Sequence, residues 1–137
     1  MSTKIIVDTS VWIEFFRHAE SAVSLHVRSL LRSRQVILVG MVLAEIIQGV
    51  RNSREAKIVR QHFAALPFME ASRDAWERAG EISAGLRKNG ITIPLSDLLI
   101  AAVALSEACE VFTLDPHFES VPKLRLHQAL LKTASQR

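Results

Sequence analysis

The sequence predicts an α/β fold, a three-layer α/β/α sandwich built on a central parallel sheet. Three observations carry that expectation. The runs Ile5-Ile6-Val7 and Val36-Ile37-Leu38-Val39 are apolar without alternation, as strands buried on both faces are. Segments with apolar residues at spacings of three and four follow each run, and strands alternating with helices imply right-handed crossovers and a sheet covered on both sides. The stretch Leu98 to Leu105 is apolar nearly all round, which marks a buried helix. With 137 residues and no repeat, low-complexity tract or Pro/Gly/Ser-rich linker, the chain is expected to form one domain over residues 1–137.

Taken in order, Ile5 to Val7 is the first strand and Asp8 ends it. Val11 to Phe16 reads as a short helix closing near Arg17-His18. Ser21 to Ser33 is amphipathic, with Val23, His26, Val27, Leu30 and Leu31 on one side. Val36 to Val39 is the second strand, stopped by Gly40. Met41 to Val50 is helical, and so is Ser53 to Leu66, capped by Asn52 or Ser53. Pro67 ends what precedes it, and Phe68-Met69 is a brief third strand. Ser72 opens a long helix that closes at Asn89-Gly90. Ser96 is expected to cap a helix from Asp97 to Ala108. Val111 to Thr113 is a further strand, and Leu124 to Leu126 is a candidate edge strand. The tail beyond it has no assignment.

Composition narrows the function classes. The chain is 49% hydrophobic and 23% charged, with a net charge of +3, ordinary values for a globular protein. The single thiol, Cys109, has no partner for an internal disulfide and reads as a small core hydrophobe in a reducing compartment. No apolar run approaches the roughly 18 residues of a membrane span. The N-terminal run is broken at Asp8, unlike a signal peptide. A cytoplasmic protein without membrane association is expected. If four of the 14 acids gather in one pocket, 17 basic side chains face ten acidic ones elsewhere. A basic exterior around an acidic pocket suits an enzyme that acts on nucleic acid.

Four carboxylates stand in comparable places. Asp8 and Asp115 each follow a strand, where ligands bind in open α/β sheets. Glu45 borders the buried stripe of a strongly apolar helix, where an ionised group is costly unless it is paired or bound to a cation. Asp97 sits in the first turn of the most apolar helix. Each has a bland explanation alone: a helix cap for Asp8, a solvated helix face for Glu45, the helix dipole for Asp97 and an Asp-Pro turn for Asp115. Together they suggest convergence at one end of the sheet. Clustered carboxylates repel, and all-oxygen ligands suit Mg²⁺ or Mn²⁺. Zinc is not expected, because the five histidines are scattered.

Four segments carry a resemblance. Ile6-Val7-Asp8-Thr9-Ser10-Val11-Trp12-Ile13, Leu43-Ala44-Glu45-Ile46-Ile47-Gln48-Gly49, Ser96-Asp97-Leu98-Leu99-Ile100-Ala101-Ala102-Val103-Ala104 and Thr113-Leu114-Asp115-Pro116-His117-Phe118 resemble, in order, the four motifs of PIN-domain ribonucleases. The short chain and the Glu-x-x-x-Gly helix look most like VapC toxins of type II toxin–antitoxin pairs. The resemblance implies a Mg²⁺- or Mn²⁺-dependent endoribonuclease with Asp8, Glu45, Asp97 and Asp115 as catalytic metal ligands. It assigns Thr9, Ser10 and Thr113 to orienting the acids or a water. It further implies a homodimer and a cognate antitoxin that covers the acidic groove. His117 stands where relatives vary and receives little weight.

Contacts to RNA must come from basic side chains. Arg51, Arg54, Lys57 and Arg60 recur every third residue and sweep half a helix circumference, which a merely solvated face also explains. Arg17 and His18 lie nearer the expected groove. Trp12 and Trp76 have apolar neighbours and are expected in the core.

Two other readings compete. A haloacid-dehalogenase-like phosphatase needs a second Asp two residues after the first, and position 10 is Ser. A receiver domain needs adjacent acids near its first strand and a Lys at a later strand end. From another class, a non-catalytic PIN-like module binding RNA or protein would have lost one or more acids, and all four are present.

Overall fold

The structure, a computed structural model, describes residues 2–129; the part of the tail from residue 130 onward lies outside the described residues. Four strands form one parallel sheet in the order β3-β2-β1-β4, with β1 at Ile5–Val7, β2 at Val36–Val39, β3 at Phe68–Met69 and β4 at Glu110–Phe112. Six helices connect or flank them: α1 Thr9–Arg17, α2 Ala22–Arg32, α3 Gly40–Gln48, α4 Ser53–Ala64, α5 Arg73–Lys88 and α6 Leu95–Glu107. This is the α/β/α arrangement that the unalternating strands predict. Every residue of β1 and β2 is buried, since helices cover both faces.

The strand order decides where a site can form. The first crossover carries the chain from β1 to β2 on one side, and β4 returns to the other side of β1. The sheet therefore changes direction between β1 and β4, and the crevice at the carboxyl ends of these strands is where α/β folds bind ligands. The register Ile6↔Val111 and Val7↔Phe112, continued by the Asp8 N–H donating to the Phe112 carbonyl at 2.9 Å, sets Asp8 beside Thr113.

Helix α6 runs through the interior, with Leu98 to Ala104 all buried. Cys109 is buried too. An aromatic cluster pins α1 to α4: Trp12 is 1% exposed and meets Phe63 edge-on at 4.9 Å and Phe15 at 5.4 Å between centroids. Buried Ser24 on α2 donates to the carbonyls of His18 at 2.6 Å and Glu14 at 3.2 Å. It thereby satisfies the end of α1, whose terminal carbonyls have no helical partners.

Several expectations need correcting. Trp76 is 52% exposed, not a core residue. α5 buries Ala75, Ala79 and Leu86 against the alanine-rich α6, and small side chains allow a close approach that turns Trp76 outward. Ser96 does not cap α6. The helix begins at Leu95 from Pro94, with no side-chain cap, so Asp97 is its third residue. Gly40 opens α3 instead of separating it from β2. Leu124 to Leu126 forms no strand, only a parallel bridge from Leu126 to Val111.

Candidate active site

Asp8 caps α1 and is 4% exposed. Its Oδ2 accepts from Ser10 Oγ at 2.8 Å, Thr113 Oγ1 at 2.8 Å and, more weakly, the Ser10 N–H at 3.4 Å. The hydroxyl hydrogens have little choice of direction. The Leu114 N–H donates to Ser10 Oγ at 3.0 Å and the Asp115 N–H donates to Thr113 Oγ1 at 2.9 Å. With an acceptor position of each hydroxyl filled, its own proton is left to point at Asp8. The cap and a site role are thus compatible in one residue.

The other acids arrive from separate elements. α3 follows β2 directly and carries Glu45, half-buried, whose Oε1 accepts from Thr9 Oγ1 at 2.7 Å. α6 supplies Asp97, with 15% of its side chain exposed. Asp115 caps the short 3₁₀ helix Pro116–Ser120, its Oδ1 accepting the His117 N–H at 2.9 Å. That turn folds the imidazole back, so His117 Nδ1 lies 3.2 Å from Asp97 Oδ2 and 3.4 Å from Asp115 Oδ1.

Among the described residues, one oxygen of each acid is held by the protein and the other makes no hydrogen bond: Asp8 Oδ1, Glu45 Oε2, Asp97 Oδ1 and Asp115 Oδ2 are all unclaimed. The acids also feel one another. Burial pushes the Asp97 carboxyl above its ordinary range, and the charges of Asp8, Asp115 and Glu45 push it further, against a hydrogen bond from His117 that pulls it down. Uncompensated negative charge beside unclaimed oxygens fits a cation. Asp97, Asp115 and His117 already hold one donor atom each within 4.8 Å of the others, an O/O/N set that suits a divalent ion.

A cavity of about 320 Å³ opens beside Glu45, walled by Ile13, Phe16, Ile46, Val50 and Ile58, with Arg17, Arg51 and Glu55 also lining it. Of the basic candidates, Arg17 and Arg51 reach this groove, whereas His18 and Arg54 do not line it. Arg51 is already engaged. Its guanidinium meets Glu55 at 2.7 Å, and this contact holds the Glu55 carboxyl below its ordinary range. His117 is the residue that sequence reasoning undervalued. The available signal was its place two residues after Asp115 in an Asp-Pro turn, which bends a side chain back on the acid.

The PIN domain family matches residues 5–124. The chain belongs to the PIN-domain family. All four acids of the candidate site fall inside that match. This PIN domain is similar to the VapC ribonuclease Mb1587 of Mycobacterium bovis, with 27% identity over 130 residues covering 91% of this chain and 96% of the relative. In fold it is similar to the DNA-bound VapBC of Salmonella typhimurium, with a TM-score of 0.80, 24% identity and coverage of 92% and 98% of the two chains. It is also similar to Mycobacterium tuberculosis VapC20, described as a sarcin-ricin-loop-cleaving toxin, with a TM-score of 0.63, 20% identity and coverage of 89% and 99%.

Proposed function

We propose that this PIN domain is a VapC-type endoribonuclease, the toxin of a type II toxin–antitoxin pair, and that it works with Mg²⁺ or Mn²⁺ held by Asp8, Glu45, Asp97 and Asp115. The observation that carries the reading is the shared pattern of the four acids. Each comes from a different segment, and each has one oxygen engaged by the protein and the other without a hydrogen bond among the described residues. A divalent ion bound there supplies a water of lowered pKa and neutralises charge that develops on the phosphodiester.

The chain's own residues do the rest. Ser10 and Thr113 hold Asp8 in one rotamer, and Thr9 holds Glu45. Such outer hydrogen bonds fix the direction of ligand lone pairs. Asp97, raised by burial and by three neighbouring charges, has an ionised form that a cation stabilises. Arg17 and Arg51 at the groove are positioned to meet RNA phosphates, with His18 and Arg54 in outlying supporting positions. Exchange of Glu55 for a phosphate as the partner of Arg51 keeps that charge paired in both states.

The apolar groove ending at Glu45 suits a protein partner with an apolar face, in keeping with an antitoxin that closes the site. Assembly as a homodimer, a single domain over residues 1–137 and a cytoplasmic setting complete the proposal; no helix among the described residues is long and apolar enough to cross a membrane. The test is incubation of antitoxin-free protein with total RNA and Mg²⁺ or Mn²⁺, beside EDTA. Discrete fragments that vanish with EDTA support the reading. Intact RNA across several RNA classes, from demonstrably folded protein, leaves the non-catalytic binding module in its place.

A further inference from the structure

We infer that His117 Nδ1 is a ligand of the cation held between Asp97 and Asp115, and that this nitrogen makes the site favour Mn²⁺ over Mg²⁺. The inference rests on the metal-site reading above and adds to it a residue and a metal preference.

The imidazole is within reach of both carboxylates at once. Nδ1 lies 3.2 Å from Asp97 Oδ2 and 3.4 Å from Asp115 Oδ1. The first distance is at the outer limit of an N–H···O bond and the second is beyond it. Adjacent ligands of an octahedral divalent ion, each about 2.1 Å from the metal, stand about 3 Å apart. Both separations lie near that edge length. One donor atom from each of the three residues lies within 4.8 Å of the others, so an ion can draw in Nδ1 and one oxygen of each carboxylate as the side chains turn towards it. The imidazole is also preset. Pro116 and the bond from the His117 N–H to Asp115 Oδ1 fix the turn, and Phe118, 1% exposed, anchors the next residue in the core. The ring has nearly half of its side-chain surface exposed, so it is placed by this turn and not by burial.

Chemistry then sets the preference. Mg²⁺ takes oxygen ligands and keeps several waters. Mn²⁺ shares the liking for carboxylates but, as a first-row transition ion, accepts an imidazole nitrogen more readily than Mg²⁺ does. Replacing one oxygen donor by nitrogen gives Mn²⁺ an advantage that a site of carboxylates alone does not offer.

Pulsed EPR of Mn²⁺ bound to the full-length wild-type protein reads the bond directly. A directly bonded imidazole nitrogen should modulate the echo. The modulation should disappear in His117→Gln and persist in His127→Ala, which excludes Mn²⁺ at the Glu110–His127–His26 cluster. Calorimetric titration of the same proteins should show His117→Gln weakening Mn²⁺ about tenfold and Mg²⁺ less than about twofold. Mn²⁺ that binds wild type without nitrogen modulation, or equal losses for both ions, overturns the inference and leaves the acidic metal site standing. Absence of Mn²⁺ and Mg²⁺ binding by folded wild-type protein overturns the metal-site reading itself.

Discussion

Two polar clusters flank the same strand, and they are built in opposite ways. Beyond the carboxyl end of β4, Asp97, Asp115 and His117 hold donor atoms within 4.8 Å of one another, and Asp8 and Glu45 lie near enough for their charges to act on Asp97. On the flank of β4, Glu110 Oε1 meets His127 Nδ1 at 2.8 Å, and His127 Nε2 meets His26 Nε2 at 2.8 Å, with Phe112 packed against both rings. One proton between the two Nε2 atoms gives each contact of that second chain a donor and an acceptor, with a single carboxylate in it. Burial, then the neighbouring His127, lowers the His26 pKa, which favours the neutral ring that such a chain needs. The first cluster does not close. It keeps four unclaimed oxygens and an excess of negative charge. A completed polar network stabilises a fold, while an incomplete one with like charges is a place for something to bind.

The contrast is broken or sharpened by variants on each side. The largest effect is expected from Asp8→Asn, which keeps the shape but removes a charge. RNA cleavage should fall by a hundredfold or more, on the scale of losing a key charge-stabilising group, while His127→Ala leaves the rate within about twofold; initial rates on one substrate check both. Next is Thr113→Val, which takes a donor from Asp8 and an acceptor from the Asp115 N–H. Loss of an outer hydrogen bond of this kind weakens metal affinity or activity by about ten- to a hundredfold, read by calorimetric titration of Mn²⁺.

A smaller effect concerns stability. The folded Asp97 pKa lies above its unfolded value, so the folded state holds that proton more tightly. Stability of the metal-free protein therefore falls as pH rises from the ordinary carboxylate range through the raised value. Asp97→Asn should melt higher than wild type at neutral pH without metal, and the two should converge in acid. The smallest effect has the opposite sign. The folded His26 pKa lies below its unfolded value, so stability is lost as pH falls from about 6.5 through the lowered value. His26→Gln should flatten that acid limb in thermal melts.

Legibility from sequence followed how much of a residue's role is local. β1, β2 and α6 were readable because burial on both faces leaves continuous apolar runs. The four acids were readable as a set, since their places at strand ends and on apolar helices are local facts. Their convergence depended on β4 pairing beside β1. What escaped depended on side-chain direction across elements. Trp76 has the apolar neighbours of a core residue, yet the close approach of α5 and α6 leaves it exposed. Ser96 has the chemistry of a cap, yet the helix is entered two residues earlier, from Pro94. His117 gained its meaning only through the turn that aims it at Asp97, twenty residues away in sequence. The Glu110–His127–His26 chain joins three segments and has no periodic signature.

The central claim is that four separated acids act as one cation site for RNA hydrolysis. Mapping the ends of the RNA fragments made by wild-type protein, beside Asp8→Asn and EDTA controls, tests it most directly. The account predicts discrete cuts with 5′-phosphate and 3′-hydroxyl ends that depend on both Asp8 and the divalent ion. Cuts that persist in Asp8→Asn or EDTA, or that leave 2′,3′-cyclic phosphates, would contradict it.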